Sequence, residues 1–188
     1  MFIVFEGVDG CGKSTHAKLL TQWLRKRGKN VFYTAEPTNG EVGVLIRKIL
    51  SGKITADPKT LALLFTADRA QHVLEIEKHL RKGHIVVSDR YYHSTVAYQA
   101  AQGIDRNWLL KLNNFAPNAD IVLYLDVSAK DAEMRARSGE IFEKKEFLAK
   151  VRREYMKFKR LDIVDATEEK KTVQDKIREI VSDALDKR

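Results

Sequence analysis

Gly7-Val8-Asp9-Gly10-Cys11-Gly12-Lys13-Ser14-Thr15 sets a lysine and two hydroxyls directly behind a glycine-rich turn, at G-x-x-x-x-G-K-S spacing. Glycines let the backbone wrap with its N–H groups pointing inward. Lys13 supplies a charge for β- and γ-phosphates, and Ser14 offers a hydroxyl to Mg2+. Gly7, Asp9, Gly10, Cys11, Gly12, Lys13, Ser14 and Thr15 thus form a candidate phosphate cradle. The competing reading is a turn with an incidental lysine. A second candidate is Asp89-Arg90, placed after an apolar run. A carboxylate there orders Mg2+-bound water, and a guanidinium clamps phosphate with two prongs. A plain surface Asp–Arg pair is the alternative, and the strand-end position weighs against it. Phe65, Arg69 and His72 share one helical face by spacing. A ring beside a guanidinium can hold a flat base and hydrogen-bond its edge. From spacing alone the simpler reading is favoured, a core Phe65 next to a salt-bridged Arg69. Arg135 and Arg137 lead into Ser138-Gly139-Glu140-Ile141, a short polar stretch that reads as a lid over phosphates.

The hydrophobic pattern supplies the scaffold for these residues. Met1 to Phe5 is a short apolar run ending at Glu6, suited to a buried strand. Ala17, Leu19, Leu20, Trp23 and Leu24 recur at helical spacing, so the glycine loop joins a strand to a helix N-terminus. Gly28 closes that helix. Residues 30–35 form a second strand, followed by the loop Glu36-Pro37-Thr38-Asn39-Gly40 at its C-terminal end, the edge where open α/β sheets bind ligands. A helix over 42–50 carries Arg47. Asp57-Pro58 opens a long helix with Asp at N-cap and Pro at N1, running to about residue 82 before Gly83. Residues 84–88 are a third strand, and a helix over 92–101 holds Ser94, Thr95, Tyr98 and Gln99. Asp105 caps a helix reaching about residue 115, and a fourth strand lies within 120–127. Ser128 and Asp131 resemble a capping box. A helix starts at Glu143-Lys144 and runs through Phe147, Val151, Tyr155 and Phe158. Residues 161–166 give a fifth strand, and Thr167 caps the last helix with Glu168 and Glu169 in its first turn. Five strands alternating with helices predict an α/β fold: one three-layer domain over 1–188 around a parallel sheet, with a lid at about 137–143.

Composition narrows the function. A 188-residue chain is long enough for one α/β core. No apolar run approaches a membrane span and no secretory signal is visible, so the expected location is cytoplasmic. A single cysteine excludes an internal disulfide and a multi-cysteine metal site. Cys11 reads as a small residue in a tight loop. The net charge of +8 suits either nucleic acid or small polyanions. The basic residues are spread along helices without a tail, so neither nucleic acid nor membrane is an expected partner.

A GTPase would need an Asn-Lys-x-Asp guanine reader late in the chain, and none is present. A small-molecule kinase fits better, and here the sequence closely resembles the thymidylate kinases, P-loop nucleoside monophosphate kinases. The residues that carry the resemblance are Phe5-Glu6-Gly7-Val8-Asp9-Gly10-Cys11-Gly12-Lys13-Ser14-Thr15, Glu36-Pro37, Phe65-Thr66-Ala67-Asp68-Arg69-Ala70-Gln71-His72 and Asp89-Arg90-Tyr91-Tyr92-His93-Ser94-Thr95-Val96-Ala97-Tyr98-Gln99. They run in family order over nearly the whole chain. The resemblance implies the nucleoside monophosphate kinase fold, ATP-dependent phosphorylation of dTMP to dTDP for dTTP synthesis, Mg2+, and usually a homodimer. It assigns Asp9 to the acceptor 3′-hydroxyl, Arg47 to the acceptor phosphate, Phe65 to stacking on thymine and Arg69 to the base edge. Arg90 falls between donor and acceptor phosphates, and Thr95, Tyr98 and Gln99 surround base and sugar. Tyr98 would crowd a 2′-hydroxyl. For Phe65 and Arg69 the resemblance replaces the simpler reading. The acceptor phosphate oxygen attacks the γ-phosphoryl in line while Lys13, Mg2+, Arg90 and lid arginines neutralise charge.

Two departures from the family pattern matter. Cys11 stands where some members carry a P-loop arginine, so Arg135 and Arg137 become the candidate catalytic arginines, with Arg152 and Arg153 in reserve. One of the first pair would meet ATP's phosphates and the other its adenine. Ala35-Glu36-Pro37-Thr38-Asn39-Gly40 stands where many members read Arg-Glu-Pro-Gly-Gly-Thr. Glu36 can still order Mg2+ waters, so Ser14, Asp89 and Glu36 are the metal candidates. The rivals are a kinase for another monophosphate or a deoxynucleoside, with Glu36 as base for a hydroxyl, and a non-catalytic nucleotide- or nucleic-acid-binding module. The intact set Lys13, Ser14, Asp89 and Arg90 argues against the module.

Overall fold

The apolar run that opens the chain is the middle strand of a five-stranded sheet. The computed structural model describes residues 1–128, 130–132 and 145–187. Arg135, Arg137 and the expected lid at 137–143 lie outside these residues. The strands are β1 (Phe2–Glu6), β2 (Val31–Ala35), β3 (Ile85–Asp89), β4 (Ile121–Asp126) and β5 (Asp162–Asp165). They stand in the order β2-β3-β1-β4-β5, every pairing parallel. A parallel strand covered on both faces needs a continuous apolar run rather than alternation, and every residue of β1 and β3 is buried. Ile3 and Phe5 are fully enclosed, each contributing roughly 1.5–3 kcal/mol. The register sets Phe5 and Ala35 on either side of Asp89. Strand pairing alone therefore brings the glycine-rich loop, the Glu36 loop and the Asp89-Arg90 turn to one edge of the sheet.

The helices are α1 (Lys13–Lys26), α2 (Glu41–Leu50), α3 (Pro58–Arg81), α4 (Tyr92–Ala101), α5 (Arg106–Leu112), α6 (Lys145–Tyr155) and α7 (Lys170–Asp186). α1 buries Ala17, Leu20 and Leu24 and is closed by Gly28 at φ 75°, where a side chain would be strained. The Asp57 carboxylate accepts from the N–H groups of Lys59 and Thr60, and Pro58 follows as the first helical residue. With 24 residues, α3 is about 36 Å long. The Ser128 hydroxyl accepts the Asp131 N–H at 3.1 Å and donates to its carboxylate at 2.6 Å, a capping interaction as the sequence suggests. No helix among the described residues is long and apolar enough to cross a membrane.

Three boundaries differ from the sequence reading, each for a side-chain reason. α5 stops at Leu112, because the Asn113 amide turns back to the Leu109 carbonyl at 2.9 Å. α6 stops at Tyr155, and the Phe158 ring leaves the helix to pack 4.8 Å from His93 and beneath Arg106 at 4.3 Å. Thr167 does not cap α7. Asp165 captures its N–H at 2.9 Å and its hydroxyl at 2.6 Å, and Glu169 takes the N-cap position.

Candidate active site

A cleft of ≈ 540 Å³ opens at the carboxyl ends of β1, β2 and β3. Gly10, Gly12, Lys13, Ser14 and Thr15 line it where α1 begins. Gly7 has φ 145°, and a Cβ there would stand 2.7 Å from both the Cys11 Sγ and the Leu125 carbonyl oxygen. Only glycine allows that approach. The Cys11 thiol thus packs under Gly7, turned away from the cleft, and its N–H donates to the Val8 carbonyl at 3.3 Å. Burial pushes the thiol up despite the nearby Lys13 and Arg90. The Lys13 ammonium donates to the Val8 carbonyl at 2.8 Å and meets the Cys11 sulfur at 3.7 Å. A buried charge resting on two neutral acceptors is poised to exchange them for an anion.

The Ser14 hydroxyl donates to Asp89 Oδ2, while Asp89 Oδ1 is buried with no hydrogen-bond partner among the described residues. A hydroxyl facing a half-satisfied carboxylate fits a small hard cation that keeps water and phosphate as its other ligands. Among the described residues no cluster of three or more His, Cys, Asp or Glu could hold a metal unaided. Glu36 does not complete the Ser14–Asp89 pair. Its two oxygens are engaged elsewhere, by Arg69 at 2.5 Å and by His72 at 3.0 Å.

Arg90 is the one non-glycine residue at positive φ (74°) among the described residues. Its N–H donates to the Phe5 carbonyl at 2.9 Å, and the Ser88 hydroxyl donates to its carbonyl at 2.7 Å. Its guanidinium pairs with the Asp9 carboxylate, donates to Ser94 Oγ at 2.9 Å and to the Gly7 carbonyl at 3.4 Å, and lies 5.3 Å from the Tyr98 ring centre. The Tyr98 hydroxyl donates to Asp9 Oδ2 at 2.6 Å and accepts the Asp9 N–H at 3.0 Å. Burial pushes the Asp9 carboxyl up, but Arg90, Lys13 and the Tyr98 hydroxyl outweigh it and hold the group below its ordinary value. Asp9 is therefore an anion at neutral pH.

The remaining wall includes Glu36, Arg47, Phe65, Thr95, Tyr98 and Gln99. Arg47 donates to the Pro37 carbonyl at 2.8 Å and to Asn39 Oδ1 at 3.4 Å. Gln99 Oε1 is buried and has no partner among the described residues. Arg69 lies behind the wall, 1% exposed. It donates to Glu36 Oε2 at 2.5 Å, Asn113 Oδ1 at 2.5 Å and Thr95 Oγ1 at 3.0 Å. The salt-bridged Arg69 of the simpler sequence reading is therefore present, with Glu36 as its partner. An ionised carboxylate only accepts, so His72 Nδ1 carries the proton toward Glu36, and in the neutral ring Nε2 accepts from the Thr34 hydroxyl at 2.6 Å. The loop that departs from the family pattern is held by Asp68, which accepts the Thr38 N–H at 2.7 Å and hydroxyl at 2.6 Å. α2 packs so closely on it that a Cβ at Gly43 would stand 1.9 Å from the Thr38 carbonyl oxygen.

Motif and spacing assign no role to Glu6, Asp68, Asn113 or Tyr155. A carboxylate closing an otherwise apolar strand was the available signal for Glu6. The others join positions far apart in the chain and left none. Arg152, held in reserve for the lid, makes a two-pronged ion pair with Asp126 at 2.7 Å on both prongs.

The model of the thymidylate kinase family matches residues 5–177. Among curated proteins, the probable thymidylate kinase of Methanococcus aeolicus is 44% identical over 197 aligned positions, covering 100% of this chain and 97% of that protein. The probable thymidylate kinase of Methanocaldococcus jannaschii is 45% identical over 184, covering 96% and 94%. That of Thermococcus kodakarensis is 43% identical over 204, covering 98% of both. With a parallel five-stranded sheet, a glycine-rich loop opening α1 and a cleft over both, the chain belongs to the thymidylate kinase family, P-loop nucleoside monophosphate kinases that take their phosphoryl group from ATP.

Proposed function

We propose that this chain transfers the γ-phosphoryl of ATP to dTMP, giving dTDP and ADP, and works as a single kinase domain with residues 137–143 as its lid. The observation that carries the reading is the place of Arg90. Its guanidinium stands at Asp9 and Gly7 in a cleft whose wall includes both the Lys13–Ser14–Asp89 group and Phe65. ATP's phosphates would lie over the glycine-rich loop at the N-terminus of α1, with Lys13 leaving the Val8 carbonyl for a phosphate oxygen. Mg2+ would be held through Ser14 and water ordered by Asp89, and when bound it neutralises charge on the phosphates. Arg90 would lie between donor and acceptor phosphates, with Arg135 or Arg137 adding positive charge. Arg47 would take the acceptor phosphate and Phe65 would stack on the base. Arg69, fixed by Glu36, would present the base-edge contact, and Gln99 would offer its unpartnered oxygen to a base N–H. Tyr98 and Asp9 would sit against the sugar and leave no space for a 2′-hydroxyl. The acceptor phosphate is mostly ionised at neutral pH, since its second pKa is about 6, so no dedicated base is needed.

A homodimer is part of the same proposal. Leu63 and Leu74 of α3 are 45% and 67% exposed and lie about 20° apart around the helix. Ala67 and Ala70 continue that exposed stripe. The cytoplasm, which holds the nucleotides and keeps a lone thiol reduced, is the proposed location.

A coupled assay of ADP release with ATP, Mg2+ and each acceptor in turn tests the reading. Strong preference for dTMP with dTDP as product is expected. Turnover of thymidine but not dTMP would keep the phosphate loop and discard the roles of Arg47 and Arg90. No turnover with any acceptor would favour a nucleotide-binding module.

A further inference from the structure

The last residue of β1, Glu6, is a carboxylate with no exposure at all. Its Oε1 accepts the N–H of Tyr91 at 2.8 Å and of Ser94 at 3.3 Å, and its Oε2 accepts the hydroxyls of Ser94 at 2.6 Å and Tyr155 at 2.8 Å. His93 Nδ1, at 3.7 Å, is beyond hydrogen-bond reach. Tyr91 is the N-cap residue of α4 and Ser94 its third helical residue, and no side chain of the cap residue itself bonds the helix end. Glu6 therefore supplies from another strand what a capping box supplies locally: a carboxyl group whose oxygens accept the first N–H groups of the helix.

Arg90 immediately precedes that cap. Its left-handed backbone is the least favourable conformation for a side-chain-bearing residue in the described chain. Glu6 fixes the peptide that follows it by holding the Tyr91 N–H. It also sets the guanidinium. Ser94 has one hydroxyl proton, and Glu6 accepts it, so the Ser94 oxygen turns a lone pair to the Arg90 guanidinium, 2.9 Å away. The Tyr155 hydroxyl lies 2.9 Å from Ser94 Oγ on the same carboxylate and ties α6 into this group.

We propose that Glu6 is the positioning residue of the reaction: through Ser94 and the cap of α4 it holds Arg90 in the one orientation that reaches both phosphates, with Tyr155 as its second support. The proposal rests on the catalytic role of Arg90 given above. Glu6 touches neither substrate, so its loss acts on the rate of transfer and little on binding.

The test is a kinetic double-mutant cycle of Glu6→Gln with Arg90→Lys, reading kcat and both KM values. Glu6→Gln is expected to lower kcat by about 10–100-fold, the scale of a misplacement near 1 Å, with both KM values within about threefold of wild type. In the Arg90→Lys background the same change is expected to cost nothing further, because the guanidinium it aims is gone. An unchanged kcat in Glu6→Gln, or an equal loss in both backgrounds, would overturn the proposal. Arg90→Lys with wild-type kcat would instead overturn the role of Arg90 itself and the proposal with it. Where Glu6→Gln fails to fold, Tyr155→Phe replaces it, removing one hydroxyl and keeping the packing. A several-fold loss of kcat confined to the Arg90 background is expected, and a loss that persists with Arg90→Lys overturns the proposal.

Discussion

The two walls of the cleft are built on opposite principles. Behind the Phe65 wall, Arg69 meets Glu36, Asn113 and Thr95 within the protein, and His72 bonds on both ring nitrogens. At the glycine-rich loop, Lys13 and Asp89 have only makeshift partners. Lys13 rests on a carbonyl and a thiol, and Asp89 keeps one oxygen without a partner among the described residues. The first wall has most of its polar groups engaged before any ligand arrives, Arg69 Nε and Gln99 Oε1 being without a partner among the described residues. In the proposed reaction the second would be completed by phosphate and cation. Preorganised recognition and deferred electrostatics thus occupy neighbouring ends of three strands.

The largest expected effect breaks the Phe65 wall. Glu36→Gln leaves the Arg69 guanidinium buried beside a neutral amide, and losing one partner of such a pair costs about 3–5 kcal/mol of stability. Urea unfolding measures it, and a loss under 1 kcal/mol would mean that Asn113 and Thr95 suffice for Arg69. Next comes Lys13→Ala, expected to lower kcat by roughly 10²–10³-fold, about 2.7–4 kcal/mol, with a much smaller loss of stability than Glu36→Gln. Near-normal turnover in that variant would sink the phosphate-loop mechanism.

A smaller effect separates packing from either wall. Burial, with Arg69 and Arg106 adding to it, holds the His93 ring down to about 3 from an ordinary 6.5. The unfolded chain binds that proton below pH 6.5 and the folded chain does not. The contribution of His93 is therefore complete above pH 6.5 and is lost on acidification toward pH 3. Between pH 6.5 and 5.5 the slope rises from about 0.7 to about 1.2 kcal/mol per pH unit. His93→Gln should flatten the pH dependence of the urea midpoint in that window, and an unchanged slope would assign it to other groups. The smallest effect is expected from Arg152→Ala. Its ion pair with Asp126 is 42% exposed on the arginine side, which limits it to less than about 1 kcal/mol. With Arg152 committed to Asp126, Arg137→Ala should slow transfer more than Arg152→Ala does, and the reverse order in kcat would move the lid role to Arg152.

What the sequence revealed follows from how far apart the cooperating residues lie. The glycine loop is contiguous, and its strand and helix flank it, so its geometry can be read from one stretch. The same holds for the Asp57-Pro58 cap and for Gly28 as a stop. Thr167 was misplaced because a rival two residues away, Asp165, captured its hydroxyl, and spacing does not rank such rivals. The partners of Arg69 are Glu36, Asn113 and Thr95, 33, 44 and 26 positions away. Tyr155 reaches Glu6 across 149. Such pairs exist only once the sheet order β2-β3-β1-β4-β5 is formed. Spacing favoured an ion-paired Arg69 and the family resemblance favoured a base-reading one. The ion pair with Glu36 is compatible with both, since a fixed guanidinium is what a base edge requires.

The contrast between the walls is tested most directly by separating binding from transfer in Lys13→Ala. Calorimetry gives its Kd for dTMP, and a rapid-quench single turnover with saturating ATP and Mg2+ gives the rate of phosphoryl transfer. A Kd within about twofold of wild type beside a transfer rate down by about 100-fold or more is the predicted result. Loss of dTMP affinity as large as the loss of rate would show that the two walls are not independent and would contradict it.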